Sequence, residues 1–250
     1  MTAITVHGML QAFAAGRLFG TAHGSGTPWV VALHGWRRDH RDFDATLDGI
    51  DALALDLPGF GATPAPDTGW GAADYAAAVE PVLDELPAPV VVLGHSFGGR
   101  VAVHLAARRP DRVSALVLTG VPLIRRQGTG KPALSFRVAR ALNRRGVVSD
   151  ARMDALREKH GSADYRAAKG VMRDVFVRVV NESYEDQLRA LRCPVELVWG
   201  DDDTEAPVAV AEEAATILTD ATLTRLPGAG HLTPTTSPAA LRDALLRHKP

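Results

Sequence analysis

Gly94-His95-Ser96-Phe97-Gly98 follows the apolar run Pro89-Val90-Val91-Val92-Leu93 and precedes a helix-patterned segment from Gly99 to Arg109. The order implies a buried strand, a tight turn with serine at its apex, and a helix, the arrangement called a nucleophile elbow. Glycines two residues to either side of Ser96 remove Cβ atoms that would obstruct so sharp a turn. The turn lifts the Ser96 hydroxyl clear of the sheet. It also leaves the backbone N–H of Phe97 at a helix N-terminus, where negative charge is favoured. The five-residue pattern alone says little; the flanking strand and helix give it weight.

Outward from the elbow, short apolar runs alternate with helical patterns. Trp29–Leu33, Ala52–Leu55, Val90–Leu93, Ala115–Leu118, Val195–Trp199 and Thr222–Leu226 read as strands. Several are apolar on both faces, as in a parallel sheet covered by helices on each side. Asp74–Leu86, Arg100–Arg109, Ala206–Leu218 and Pro238–Arg247 read as helices. The alternation predicts an α/β fold with a doubly wound, mostly parallel sheet, in which sites form at the carboxyl ends of strands. It breaks between about Leu123 and Arg192. There Ala168, Val171, Met172, Val175, Phe176 and Val179 recur at helical spacing, as do Leu134, Val138, Ala141 and Leu142. Gln127-Gly128-Thr129-Gly130-Lys131-Pro132 is a loop-like entry. Residues 1–124 and 193–250 are therefore expected to form the core, and residues 125–192 a small inserted helical cap that excludes water from the site.

With 250 residues, 46% of them apolar and 23% charged, the chain reads as globular and large enough for one core plus an insertion. No run approaches the ~20 apolar residues of a membrane span. The N-terminus lacks a basic-then-apolar export pattern, and the single Cys193, expected to be packed, suits a reducing cytosol; the expectation is cytoplasmic. A net charge of −1 argues against a strongly basic nucleic-acid binder. Its distribution is uneven: residues 125–192 carry 16 Lys+Arg and 8 Asp+Glu, a net of +8, against −9 for the rest. Complementarity between solvated faces accounts for this, or else steering of an anionic substrate or partner. The oligomeric state is left open.

A serine hydroxyl needs a base, usually histidine, and the histidine needs an orienting carboxylate. His231, in Gly228-Ala229-Gly230-His231-Leu232, follows the last strand-like run and so lies at a carboxyl strand end with Ser96. His95 is expected to point away from the nucleophile and to pack. His104 lies too far along the helix, and His7, His23, His40, His160 and His248 read as surface residues. For the carboxylate, Trp199-Gly200-Asp201-Asp202-Asp203 follows the strand Val195–Val198, with three acids available. His34-Gly35-Trp36 follows Trp29–Leu33, so the backbone N–H groups of Trp36 and Phe97 are candidates for an oxyanion hole. No residue cluster suggests a metal or a cofactor.

Leu33-His34-Gly35-Trp36, Asp56-Leu57-Pro58-Gly59-Phe60-Gly61, Gly94-His95-Ser96-Phe97-Gly98-Gly99, Trp199-Gly200-Asp201-Asp202-Asp203 and Gly230-His231, in that order, closely resemble the motifs of the α/β-hydrolase superfamily in its small, capped form. The likeness covers nearly the whole chain. In that family the acid is usually the third residue after the strand-end glycine, often with proline four residues on. Asp203 and Pro207 fit, so the resemblance selects Asp203 and the chain order Ser96, Asp203, His231. It implies a cofactor-independent serine hydrolase that cleaves a carboxylic ester or related acyl bond through an acyl-enzyme. Serine rather than aspartate at the elbow argues against haloalkane dehalogenases and epoxide hydrolases. Trp36-Arg37-Arg38 lacks the glycine-rich segment usual in carbon–carbon bond hydrolases, and the loop after His231 lacks an acidic residue many relatives carry. A thioesterase, amidase, lactonase or acyltransferase would use the same residues, with perhydrolysis as a side activity. A non-catalytic ligand receptor on this fold is the alternative from another class. Trp36, Phe97 and the cap's apolar face suggest a largely apolar pocket for a small-molecule substrate.

Overall fold

The computed structural model describes residues 9–124, 149, 152 and 163–250. Its strands are β1 (Leu10–Phe13), β2 (Leu18–His23), β3 (Val30–Leu33), β4 (Ala52–Asp56), β5 (Val90–His95), β6 (Val113–Thr119), β7 (Val195–Gly200) and β8 (Ala221–Leu226). They form one sheet in the order β1-β2-β4-β3-β5-β6-β7-β8. β2 is antiparallel to both β1 and β4, and from β4 to β8 all neighbours pair in parallel. Each strand expected from the sequence is present, shifted by no more than a residue or two. β1 and β2 were not anticipated. The helices are α1 (Ala72–Asp84), α2 (Phe97–Arg108), α3 (Ala163–Ala167), α4 (Val171–Val179), α5 (Glu185–Ala190), α6 (Val208–Ile217), α7 (Thr233–Thr236) and α8 (Pro238–Leu246).

Side chains of a strand alternate between faces, so each central strand feeds two cores. Val31, Leu33, Val90, Val92, Leu116, Leu118 and Leu197 pack with residues of α1, α2 and α6. Their neighbours Val30, Ala32, Val91, Leu93, Ala115, Val117 and Val198 pack with Phe43, Leu47 and residues of α8. The runs look uniformly apolar because both sheet faces are covered. β3 lies between β4 and β5, and the chain leaves β3 toward one side and β5 toward the other. That reversal opens a crevice at their carboxyl ends.

α3, α4 and α5 lie in sequence between β6 and β7. In α4, Val175 and Val179 are buried, with Ala168 buried just before it. The helix is tied to the core: Arg100 Nη1 donates to the Val179 carbonyl at 2.6 Å, Arg178 Nη1 to the Gly69 carbonyl at 2.9 Å, and the Ala72 N–H to the Glu182 carboxylate at 3.2 Å. α5 packs against α2 and α6, with Leu188 buried in the main core. The helix face expected at Leu134, Val138, Ala141 and Leu142, the loop at 127–132, and His7 and His160 lie outside the described residues. Among the described residues, no helix is long and apolar enough to cross a membrane.

Candidate active site

Ser96 sits at φ 49°, ψ −110°, a left-handed backbone that a non-glycine residue adopts only under strain. The flanking glycines have another task. A Cβ on Gly98 would collide with the Leu33 carbonyl oxygen, and one on Gly94 would come within 2.5 Å of the Gly99 Cα. They let α2 pack directly against β3 and β5, and that packing holds the serine in its strained turn.

Strand register brings the remaining residues to the same level. Leu33 pairs with Gly94, so Gly35 lies across from Ser96; a Cβ on Gly35 would be 3.4 Å from that of Ser96. His95 pairs with Thr119, so Gly120 stands on the other side. Gly120 has φ +59°, and a Cβ there would fall 3.0 Å from His231 Nδ1 and 3.2 Å from Asp203 Oδ2. Gly200 pairs with Leu226, bringing the loops that carry Asp203 and His231 together.

His231 Nε2 lies 3.0 Å from Ser96 Oγ, and His231 Nδ1 lies 2.8 Å from Asp203 Oδ2. Asp203 is buried, and its other oxygen accepts the N–H groups of Glu205 at 2.9 Å and Ala206 at 2.8 Å. A carboxylate so held aims its other oxygen at the ring. The imidazole then carries its proton on Nδ1 and presents the Nε2 lone pair to the serine hydroxyl. Of the other acids in the run, Asp201 pairs with Arg225 at 2.7 Å and Asp202 is exposed.

The two candidate oxyanion donors follow from peptide geometry. The Gly35 carbonyl accepts from His34 Nδ1 at 2.7 Å and from the Arg38 N–H at 3.2 Å. Across that trans peptide the Trp36 N–H points the opposite way. The Ser96 carbonyl accepts the Arg100 N–H within α2 at 3.4 Å, and this turns the Phe97 N–H outward at the helix start. Neither N–H has an acceptor among the described residues. Above them stands an aromatic wall: the Trp36 ring lies 5.0 Å from Phe60, 5.4 Å from Phe97 and 5.1 Å from Phe176 of α4.

His95 turns from Ser96 and donates through Nε2 to the His231 carbonyl at 2.9 Å, bracing the loop that carries His231. Its Nδ1 is buried without a partner among the described residues. Burial, aided by the neighbouring His231 ring, pushes the His95 imidazole down to about 3. The unfolded chain therefore binds a proton that the fold refuses. This contribution to stability is whole above about pH 6.5 and is lost as pH falls toward 3. Between pH 7.5 and 5.0 the loss amounts to roughly 2 kcal/mol. Urea unfolding at the two pH values should show a smaller difference for His95→Gln, whose amide retains a donor. An unchanged difference would contradict this account.

Three histidines expected at the surface have partners instead. His40 Nδ1 lies 2.8 Å from the buried Asp56, His248 Nε2 lies 3.2 Å from the buried Glu196, and His23 lies 3.2 Å from the Thr21 hydroxyl. Their partners come from remote strands or from the same strand's inner face. Cys193 is half-buried against the core, and burial pushes its thiol up. Phe60, Phe176, Gly120 and Glu205 surround the site without having been named as site residues. Phe60 lay within the Asp56–Gly61 motif and Phe176 on the expected apolar helix face; Gly120 and Glu205 had no signal.

A model of the alpha/beta hydrolase family matches residues 30–244. The pimeloyl-[acyl-carrier protein] methyl ester esterase of Aromatoleum aromaticum is 33% identical over 239 residues, covering 82% of this chain and 91% of that protein. Local matches to the biotin biosynthesis bifunctional protein BioHC of Cellvibrio japonicus (42% identical) and to the Neisseria meningitidis serogroup B methyl ester esterase (39% identical) span 36% of this chain and only 18% and 35% of those proteins. Among solved structures, an esterase from Exiguobacterium antarcticum superposes with a TM-score of 0.70 at 20% identity, covering 96% of this chain and 98% of that one. A thermophilic esterase from Thermogutta terrifontis gives 0.68 at 20% identity, with coverages of 98% and 100%.

Proposed function

The chain belongs to the alpha/beta hydrolase family, and on that premise we propose that it is a serine hydrolase that cleaves carboxylic esters through an acyl-enzyme on Ser96. The observation that carries the reading is the unbroken relay from Asp203 through His231 to Ser96. His231 Nε2 takes the Ser96 proton as Oγ attacks the ester carbonyl. The Trp36 and Phe97 N–H groups receive the oxyanion, and one such donor is typically worth roughly 10²–10³ in rate. His231 then passes the proton to the departing alkoxide as its C–O bond breaks. Water, deprotonated by the same nitrogen, releases the carboxylic acid and restores Ser96. Each step draws on groups of this chain and on water.

Residues 125–192 are taken as the cap, a reading supported by the seat of Phe176 on Trp36. The aromatic wall suits an apolar acyl chain, and the positive excess of the cap supports an anionic group elsewhere on the substrate. The full-length relative from A. aromaticum is named for a methyl ester on an acyl chain, which fits a small alcohol and a longer acyl portion.

A fluorophosphonate probe tests the reading directly. The intact protein should be labelled at Ser96, with labelling blocked by an ester substrate and absent in Ser96→Ala. Failure to label a folded protein that also leaves p-nitrophenyl acetate and butyrate intact would favour a non-catalytic ligand receptor.

A further inference from the structure

We propose that Glu205 sets which alcohols this site releases, favouring neutral or cationic leaving groups over anionic ones; the inference rests on the serine-hydrolase reading above. Glu205 Oε2 lies 3.5 Å from His231 Nε2, the nitrogen that also faces Ser96 Oγ at 3.0 Å. The imidazole therefore stands between two carboxylates, Asp203 on Nδ1 and Glu205 beside Nε2. They differ in setting: the Asp203 side chain is 1% exposed and that of Glu205 is 66% exposed. Asp203 orients the ring, and Glu205 lines the mouth.

Its position is built into the turn. The Glu205 N–H donates to Asp203 Oδ1 at 2.9 Å, so the bond that steadies Asp203 also delivers Glu205 to the reacting side of the ring. At 3.5 Å the carboxylate does not take the place of the serine hydroxyl on neutral His231, yet it lies within ion-pair reach of the imidazolium formed during the reaction.

Nε2 is the atom that hands its proton to the leaving alkoxide, so a charge beside it borders the path of the alcohol. An alcohol bearing a carboxylate or sulfonate is repelled there, and one bearing an ammonium group is attracted. Among the described residues, the groups facing His231 are Asp203 and Glu205 from the loop after β7, Ser96, and the His95 ring 5.0 Å away, kept neutral by burial. Of these, Glu205 alone is an exposed charge.

Three butyrates that differ only in the alcohol supply the test: the choline ester, its uncharged 3,3-dimethylbutyl counterpart, and the anionic 2-sulfoethyl ester. At low ionic strength the wild type should favour choline over sulfoethyl in kcat/KM by about three- to tenfold, an exposed charge acting through solvent. Glu205→Gln should bring the ratio near one, and Glu205→Lys should invert it. Ser96→Ala runs in parallel. If it abolishes hydrolysis while the ratio ignores Glu205→Gln and Glu205→Lys, the role of Glu205 falls and the serine-hydrolase reading stands. If Ser96→Ala still hydrolyses all three esters at wild-type rates, both fall.

Discussion

Replacing Ser96 by alanine is expected to lower kcat/KM for p-nitrophenyl butyrate by about 10⁴-fold or more, with the fold intact. The chemical reason is the loss of the hydroxyl that stands 3.0 Å from His231 Nε2 and attacks the carbonyl. The oxyanion donors and the aromatic wall remain, so a residual rate above that in water should persist. Alanine keeps a Cβ at the left-handed position of residue 96, so the backbone strain persists and melting should change little. Glycine at the same position would relieve that strain, and Ser96→Gly should melt no earlier than Ser96→Ala despite the entropy glycine adds to the unfolded chain. Kinetics on both variants, with thermal melts alongside, separate chemistry from folding. Activity of Ser96→Ala within tenfold of wild type would place the nucleophile elsewhere.

The elbow was legible in the sequence because its constraints are local. A strand covered on both faces must be apolar at consecutive positions, and a helix whose first turn lies against strand backbone needs glycine in that turn. His231 and Asp203 were legible for a related reason, since each follows a strand within a short polar or glycine-rich loop. The first hairpin was not. Ala14 and Ala15 hold positive φ between β1 and β2, where Asn or Asp would have signalled the turn, and β1 is mostly exposed. Gly120 stayed hidden because its nearness to His231 depends on the register of β5 against β6. Glu205 stayed hidden because only the closed turn around Asp203 places it beside Nε2. Partnerships such as His40 with Asp56 and His248 with Glu196 join residues 16 and 52 apart, with no local pattern to announce them.

Asp203→Asn is expected to reduce kcat by about 10⁴-fold while leaving the protein folded, and the mechanism is one of tautomers. Asp203 Oδ1 accepts two backbone N–H groups, from Glu205 and Ala206, and Oδ2 faces His231 Nδ1. An asparagine amide has one oxygen and one NH₂. The two backbone donors will claim the oxygen, which turns the NH₂ toward Nδ1. Nδ1 must then accept, so the ring proton moves to Nε2, where Ser96 needs a lone pair. Glu205 deepens the fault, because its carboxylate 3.5 Å from Nε2 is placed to favour an N–H there. The two-carboxylate setting thus makes this variant more inert than loss of the Asp203 charge alone. Asp203→Asn/Glu205→Gln should recover part of the lost rate relative to Asp203→Asn, a positive coupling that independent contributions would not produce. Rates that multiply without coupling would mean that Glu205 does not influence the tautomer. Full activity in Asp203→Asn would mean that Asp203 does not orient the base.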